Sequence, residues 1–153
     1  MGFEDLKIHT TPARHFSGRG FKRNTSLWLS LVVNTPTKKI FIGGDSGYDT
    51  HFKTIGEKFG PFDLVILECG QYNHYWKHIH MMPEEVVKAA EDLRAKKILP
   101  VHWGKFSLSL HAWDEPITRI ILEARRKGMD VIHPMIGEAV YLDEEIQFSE
   151  WWH

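Results

Sequence analysis

FIGGDSGYDTHFKTIGEKFGPFDLVILECGQY, residues 41–72, is the stretch of sequence that best predicts the fold. An apolar strand ends in glycines and Asp45, and a helical pattern follows, with its apolar residues on one face until Gly60. The segment 62–67 (FDLVIL) is then almost continuously apolar, as interior strands are. Strand, helix and strand in this order are typical of a layered α/β domain.

The rest of the chain continues this alternation, so we predict one α/β domain over residues 1–153. The turn 34–37 (NTPT) joins two of the predicted strands as a hairpin. The other expected elements are strands over 6–11, 27–33, 38–42, 97–101, 131–132 and 138–142, a helix opened by Pro83, and a helix capped by Asp114 and closed by Gly128.

The composition argues against a membrane-spanning, nucleic-acid-attracting or disulfide-stabilised protein. The 153 residues suffice for one domain with a core, and the net charge of -1 gives no long-range field that favours nucleic acid. No run approaches the roughly 18 apolar residues that a membrane-spanning helix needs. A single cysteine, Cys69, excludes an internal disulfide and fits a reducing compartment. We therefore expect a cytoplasmic protein, with peripheral membrane association left open.

Ten histidines are an unusual number for this length, and several follow predicted strands. In α/β sheets, ligands collect at the carboxyl ends of the strands. The residues of metal-binding type at or after these ends are His15, Asp45, His80 and His102. We expect these four side chains to converge on one rim, where imidazole and carboxylate groups suit Zn²⁺ or a similar divalent ion.

Each of these residues also has a plainer interpretation. His15 could be a surface histidine, and Asp45 between glycines could be a turn residue. Glu68, at the end of a buried strand, either supports a metal-binding side chain from behind or points to solvent. His102 is the hardest to explain without a function, because a histidine directly after an apolar strand usually needs a polar partner.

Four stretches together resemble the metallo-β-lactamase superfamily: TPARHFSGRG, residues 41–72 quoted above, HMMPEEVVKAAEDLRAKKILPVHWGKFSL and GEAVYL. More narrowly they resemble the branch of N-acyl-phosphatidylethanolamine-hydrolysing phospholipase D, with L-ascorbate-6-phosphate lactonase more distant. Order and spacing agree over residues 6–142. The resemblance implies the C-terminal half of an αββα four-layer sandwich, which is a mixed sheet with helices on one face.

The resemblance also implies residue roles. His15 would bind the first metal ion, Asp45 would bridge both ions and His102 would bind the second. His80 would bind or protonate the reacting group. The implied cofactor is Zn²⁺, as one or two ions, with Mn²⁺ or Fe²⁺ as alternatives. The implied reaction is hydrolysis of a phosphodiester, phospholipid or lactone by a metal-bound hydroxide.

One family hallmark, the His-x-His-x-Asp-His motif of the first half of the domain, does not occur in this sequence. We therefore expect that the N-terminal half is missing and that each ion would have two protein ligands, fewer than the three of a catalytic zinc site. A half-sandwich would also expose an apolar sheet face. We expect either the missing half or a second copy of the chain to cover that face.

Three functions remain open at this point. The first is a metal-dependent hydrolase whose full activity needs the missing half. The second is a non-catalytic half-domain, and the third is a protein with one metal ion that recruits His74, His78 or His80. The basic stretch 14–23, which includes Arg14, Arg19 and Arg23, could neutralise a phosphate or be a solvated surface.

Overall fold

The computed structural model of the protein describes residues 5–18, 20–106, 108–145 and 147–153. Within these residues, one six-stranded sheet and three α-helices form the chain, and a short 3₁₀ turn spans His74–Trp76. The elements are β1 (Lys7–Pro12), β2 (Leu29–Asn34), β3 (Lys39–Ile42), α1 (His51–Phe59), β4 (Leu64–Glu68), α2 (Pro83–Asp92), β5 (Lys97–Val101), α3 (Glu115–Lys127) and β6 (Asp130–Val131).

The strands lie in the sheet in the order in which they occur in the chain, β1-β2-β3-β4-β5-β6. The first three pair antiparallel, whereas β3, β4, β5 and β6 pair parallel, with Phe41 opposite Val65 and Leu67 opposite Pro100. Strands β1, β3, β4 and β5 consequently point the same way. Their carboxyl ends meet at one edge of the sheet, and the loops that follow them lie together.

All three helices pack on one face of this sheet. The fully buried strand residues on that face alternate along the strands, and they are Val32, Phe41, Val65, Leu67 and Ile98. Phe52 of α1, Val86 of α2 and Ile120 of α3 belong to the same core. The predicted mixed sheet with helices on one face is confirmed, since the buried apolar residues of β2 to β5 that belong to the helix-covered core all lie on the same face.

The opposite sheet face is apolar but partly open. Ile8 is 55% exposed, Leu29 45% and Ile42 36%, and all three alternate with residues of the helix-covered face. Isolated exposed side chains of this kind are ordinary, but a contiguous set on one sheet face is typical of an interface.

The helix boundaries follow the sequence signals. Pro83 opens α2, and the Glu85 carboxylate accepts the backbone N–H of Met82 at 2.9 Å. Gly128 ends α3 with a φ of 67°, a left-handed conformation that glycine adopts without a steric cost. Asp114 occupies the N-cap position of α3, but its side chain makes no capping hydrogen bond.

Several strand predictions needed correction. Strand β2 begins at Leu29, two residues later than predicted, and β6 spans Asp130–Val131 instead of 131–132. Residues 138–142 do not form a strand; the backbone N–H of Glu138 instead closes a turn by donating to the carbonyl of Met135 at 2.9 Å. Strand β4 begins two residues later than predicted and includes Glu68, whereas Phe62 forms only an isolated bridge with Ala95.

Candidate functional site

The carboxyl ends of the co-directional strands surround a hollow of about 460 Å³. All four residues that the sequence places at strand ends, His15, Asp45, His80 and His102, line it. The rest of its wall consists of Phe16, Arg23, Gln71, Trp76, Ile79 and Leu108. The predicted convergence on one rim is therefore present in the fold, while the chemical roles of these residues stay predictions.

Asp45 and His102 form an acid–imidazole pair in this hollow. The Oδ1 atom of Asp45 lies 3.5 Å from Nε2 of His102, and both side chains are about one third exposed. This distance is too long for a strong hydrogen bond. It is close to the roughly 3.3 Å that separates two ligands of one tetrahedral ion when each bond is about 2.0–2.1 Å. The pair is thus spaced as two ligands of a shared cation would be.

His15 presents one ring nitrogen to the hollow. Its Nδ1 lies 2.8 Å from the backbone oxygen of Phe16, and since a carbonyl only accepts, Nδ1 carries the proton of this bond. The ring also stacks on Trp28, with 4.5 Å between the centroids. Nε2 is left with its lone pair, which is the arrangement that metal-binding histidines usually have.

The backbone at His102 makes a sharp turn directly after β5. His102 has a φ of 70°, which is uncommon for a residue other than glycine. Its carbonyl oxygen approaches Gly70 so closely that a Cβ on Gly70 would lie 1.6 Å from that oxygen. Gly70 therefore permits the approach that brings the His102 turn against the loop after β4.

A buried serine ties the loop of His15 to the loop of Asp45. The hydroxyl of Ser46 accepts the backbone N–H of Arg14 at 2.9 Å, and the N–H of Gly47 donates to the carbonyl of Arg14 at 3.0 Å. These two bonds involve the residues next to His15 and Asp45. Sequence reasoning identified the glycines around Asp45 but missed this serine, whose only sequence signal is its place in GGDSG.

His80 is buried between the other two histidines and a carboxylate. Its ring centroid lies 5.4 Å from that of His15 and 5.7 Å from that of His102. Its Nδ1 lies 3.3 Å from Oε2 of Glu68, a residue that is only 1% exposed. Of the two alternatives for Glu68, the structure excludes the one in which it points to solvent.

The remaining candidates divide between the hollow and its surroundings. His74 and His78 are exposed and are not among the residues that line the hollow. Arg23 lines the hollow with its guanidinium carbon 4.9 Å from the centre of the Phe16 ring, whereas Arg14 pairs with Asp49. Arg19 lies outside the described residues.

The donor set fits a metal ion only in part. Across residues 5–18, 20–106, 108–145 and 147–153, no group of three His, Cys, Asp or Glu side chains is arranged to hold one ion. Asp45 and His102 provide two neighbouring donors of a type that zinc accepts, and the imidazole of His15 provides a third donor in the same hollow. The described residues therefore supply part of a metal centre.

Three comparisons place the chain among known proteins. A family model described as "Beta-lactamase superfamily domain" matches residues 1–103. The outer membrane protein RomA of Klebsiella pneumoniae is 58% identical over 102 residues, which are 67% of this chain and 77% of RomA. The mitochondrial N-acyl-phosphatidylethanolamine-hydrolyzing phospholipase D of Saccharomyces cerevisiae is 41% identical over 131 residues, 82% of this chain and 28% of that protein.

Solved structures share the fold at lower identity. The metallo hydrolase Igni18 of the archaeon Ignicoccus hospitalis superposes with a TM-score of 0.63 at 21% identity, over 84% of this chain and 49% of that one. The chain thus spans about half the length of this structural relative and about a quarter of the yeast relative. In the described part of the chain, no helix is both long and apolar enough to cross a membrane.

The match over two thirds of the chain and the shared fold agree with the resemblance seen in the sequence. The chain therefore belongs to the beta-lactamase superfamily, and the predicted metallo-β-lactamase fold, with relatives among the N-acyl-phosphatidylethanolamine-hydrolysing phospholipases D and the metal-dependent hydrolases, is confirmed.

Proposed function

We propose that this chain contributes ligands to a divalent metal centre that hydrolyses a phosphodiester or a lactone. The observation that carries the proposal is the 3.5 Å separation of Asp45 Oδ1 and His102 Nε2 in a hollow that His15 and His80 also face. Zn²⁺ is the proposed ion, in one or two copies, and Mn²⁺ or Fe²⁺ are alternatives that accept the same donors.

Each residue has a distinct part in this proposal. A divalent ion bound at Asp45 and His102 would supply Lewis acidity and a water molecule of lowered pKa. Asp45 orients the attacking water through its second carboxylate oxygen, and His15 offers Nε2 to the same hollow. His80 binds the reacting group, or takes up a proton on its ring nitrogen in the hollow and passes it to the leaving oxygen.

The substrate class rests on the yeast relative and on the wall of the hollow. That relative is named for hydrolysis of N-acyl-phosphatidylethanolamine by phospholipase D chemistry, which cleaves a phosphodiester. Trp76 and Leu108 form an apolar part of the wall, and the guanidinium of Arg23 places a positive charge at the same hollow. This wall could contact both the apolar part and the polar or charged part of a small phosphodiester, a phospholipid or a lactone.

Two features of the chain require residues from elsewhere: the incomplete set of metal ligands and the uncovered apolar face of the sheet. The described parts of the chain hold no three-ligand group, and Ile8, Leu29 and Ile42 leave apolar area on the uncovered face. We propose that one partner provides both the missing ligands and the cover. That partner is either the additional half found in longer relatives or a second copy of this chain.

A second candidate function is a non-catalytic half-domain that binds at most one ion. The specific observation in its favour is again the lack, within the described residues, of a group of three metal-binding side chains. This candidate predicts folding and partner binding without hydrolysis. The two candidates therefore differ in metal stoichiometry and in turnover.

The test measures both quantities on the same preparations. Zinc content and calorimetric Zn²⁺ binding are determined for the wild-type chain, for Asp45→Asn and for His102→Gln, with the exposed His74→Gln as matched control. We expect the first two variants to lose zinc affinity by at least tenfold and the control to retain it. Failure of the wild-type chain to bind zinc would contradict the proposal.

Turnover is measured with bis-p-nitrophenyl phosphate and a simple lactone, with Zn²⁺ or Mn²⁺ present. The chain is assayed alone and after addition of the N-terminal half of a longer relative. Two ions per assembled site together with hydrolysis support the hydrolase. One ion or none, with no hydrolysis of either substrate after assembly, supports the non-catalytic half-domain instead.

The cytoplasm is the proposed compartment, on the grounds of one buried cysteine, Cys69, and no expected disulfide. The name of RomA points to the outer membrane for that relative. Fractionation of cells expressing the chain separates the alternatives, with recovery in the cytosolic fraction as the expected result. Recovery with outer membranes would overturn this assignment.

A further inference from the structure

A carboxylate and an imidazole lie buried against each other at the wall of the hollow. Glu68 is the last residue of β4 and pairs in the sheet with Val101, the residue before His102. It is 1% exposed, and His80 is 8% exposed. Neither the predicted metal ligands nor the apolar core accounts for a carboxylate in this position.

Two atoms of this pair lack any hydrogen-bond partner among the described residues. They are Oε2 of Glu68 and Nδ1 of His80, both fully buried and 3.3 Å apart. A buried polar atom without a partner costs free energy, and a buried carboxylate costs more. Each atom is the closest available partner for the other, so a small rotation would join them in a hydrogen bond.

We propose that Glu68 is a positioning residue that fixes the tautomer and orientation of the His80 ring. Nδ1 of His80 carries a proton and donates it in a hydrogen bond to Oε2 of Glu68. Nε2, on the other side of the ring, is thereby left with its lone pair for the hollow that His80 lines. The identity of the reaction that uses Nε2 rests on the proposed function, but the tautomer does not.

The other carboxylate oxygen of Glu68 explains why this position holds glutamate. Oε1 accepts the backbone N–H of Met81 at 2.8 Å, so both oxygens of Glu68 face donors once Nδ1 is protonated. A carboxylate accepts at both oxygens, whereas an amide has one accepting and one donating end. Glutamine at this position can therefore serve Met81 or the protonated Nδ1, but not both.

Glu68 also fixes the backbone of the loop that carries His80. Because the bond to Met81 anchors the residue next to His80, Glu68 holds the backbone and the ring of this segment at once. Carboxylate partners of functional histidines act in this way, and their removal typically lowers activity or metal affinity about 10–100-fold. Glu68 does not line the hollow and would not touch the substrate.

The experiment reads the His80 tautomer directly, by long-range ¹H–¹⁵N NMR of the full chain with no metal added. We expect the Nδ1–H form in the wild-type chain, which is the minority form of free neutral histidine. In Glu68→Gln we expect a shift toward the Nε2–H form. Asp63→Asn is the matched control, because Asp63 also accepts a backbone N–H, from Lys39 at 2.8 Å, but lies at the other end of β4.

The possible outcomes distinguish a Glu68 that positions the His80 ring from a Glu68 that only stabilises the loop. An Nε2–H tautomer in the wild-type chain overturns it, even if Glu68→Gln does not fold. An unchanged tautomer in a folded Glu68→Gln variant overturns it as well, because a mere loop anchor would lower stability only. Since the readout needs neither metal nor substrate, a lack of hydrolysis would refute the proposed function and leave this result intact.

Where hydrolysis is measurable, the kinetic constants provide a second readout. Glu68→Gln should lower kcat about 10–100-fold. KM should stay within about twofold, because the residue orients a catalytic group and makes no substrate contact. A rise in KM at unchanged kcat would contradict positioning of His80.

Discussion

The carboxylate of Asp45 lies 3.5 Å from the imidazole Nε2 of His102, although strand β4 separates the two strands that precede them. The parallel arrangement of β3, β4 and β5 places both strand ends at the same edge. The glycines at 43 and 44 let the chain after β3 turn across that edge, and Gly44 adopts a φ of 62°. The topology of the sheet, together with two flexible residues, thus creates the pair.

The close contact between Gly70 and the His102 carbonyl predicts a severe effect of Gly70→Ala. The added Cβ would fall 1.6 Å from that oxygen, so the turn at His102 must move. We expect a loss of about 1–3 kcal/mol or more in the free energy of unfolding. We also expect weaker zinc binding, and urea denaturation with calorimetry measures both quantities.

Gly20→Ala is the control for this substitution, because a Cβ at Gly20 meets no atom within 4 Å. It should change neither stability nor zinc binding. A Gly70→Ala protein that matches the wild type in both measurements would show that the His102 turn is not constrained by this contact.

The hydroxyl of Ser46 predicts a measurable change in the loop of His15. Ser46→Ala leaves the half-buried N–H of Arg14 without its acceptor, which should cost about 0.5–1.5 kcal/mol of stability. The amide of Arg14 should exchange with solvent much faster, as measured by hydrogen exchange followed by NMR. Unchanged exchange at Arg14 would contradict the role of Ser46 as the tie between the two loops.

Tyr48 predicts a loss of stability at high pH. Burial, followed by the 2.6 Å hydrogen bond to Asp92, raises the pKa of Tyr48 from 10.0 to about 12. The folded state therefore holds this proton when the unfolded state has released it. The stabilisation is complete below pH 10 and declines as pH rises from about 10 to 12.

Tyr48→Phe removes this titrating group and the slope that it causes. Urea midpoints measured between pH 9 and pH 12 should fall less steeply for the variant than for the wild type. Identical slopes would contradict the raised pKa of Tyr48.

Trp152 predicts a large effect on stability, at a residue whose ring lies 5.6 Å from that of Trp103. Trp152 is 5% exposed and packs with Ile117 and Ile121 of α3. Trp152→Ala should lower the free energy of unfolding by about 3–5 kcal/mol. Trp113→Ala, at a residue that is 46% exposed, should cost far less in the same denaturation experiment. Equal losses in the two variants would contradict the buried packing of Trp152.

Local sequence signals predicted most of the fold. Pro12, Gly60, Pro83 and Gly128 lie at or next to element ends, because proline and glycine have restricted or special backbone geometry. The predicted strand over 138–142 failed for a different reason. β propensity describes how well side chains fit a half-buried sheet surface, and β-forming residues alone do not establish that a segment joins a sheet.

The sequence predicted which residues of the candidate site follow strand ends, but not how those residues pair with one another. The shared direction of β1, β3 and β5 brings His15, Asp45 and His102 to one edge of the sheet. The alternation of strands and helices predicts this direction for β3 and β5, whereas β1 reaches it through two antiparallel pairings. The pairing of Glu68 with His80 was not predictable. It depends on the path of the loop over 69–82, which folds back over the end of β4 through contacts remote in sequence.

The measurement that tests the central claim most directly is a Zn²⁺ titration of the full chain, followed by long-range ¹H–¹⁵N NMR of the histidine side chains. The account predicts that the Nε2 signals of His15 and His102 change on zinc binding, that those of His74 and His78 do not, and that Asp45→Asn weakens the response at least tenfold. The account would be contradicted if zinc shifted the side-chain signals of His74 or His78 and left those of His15 and His102 unchanged.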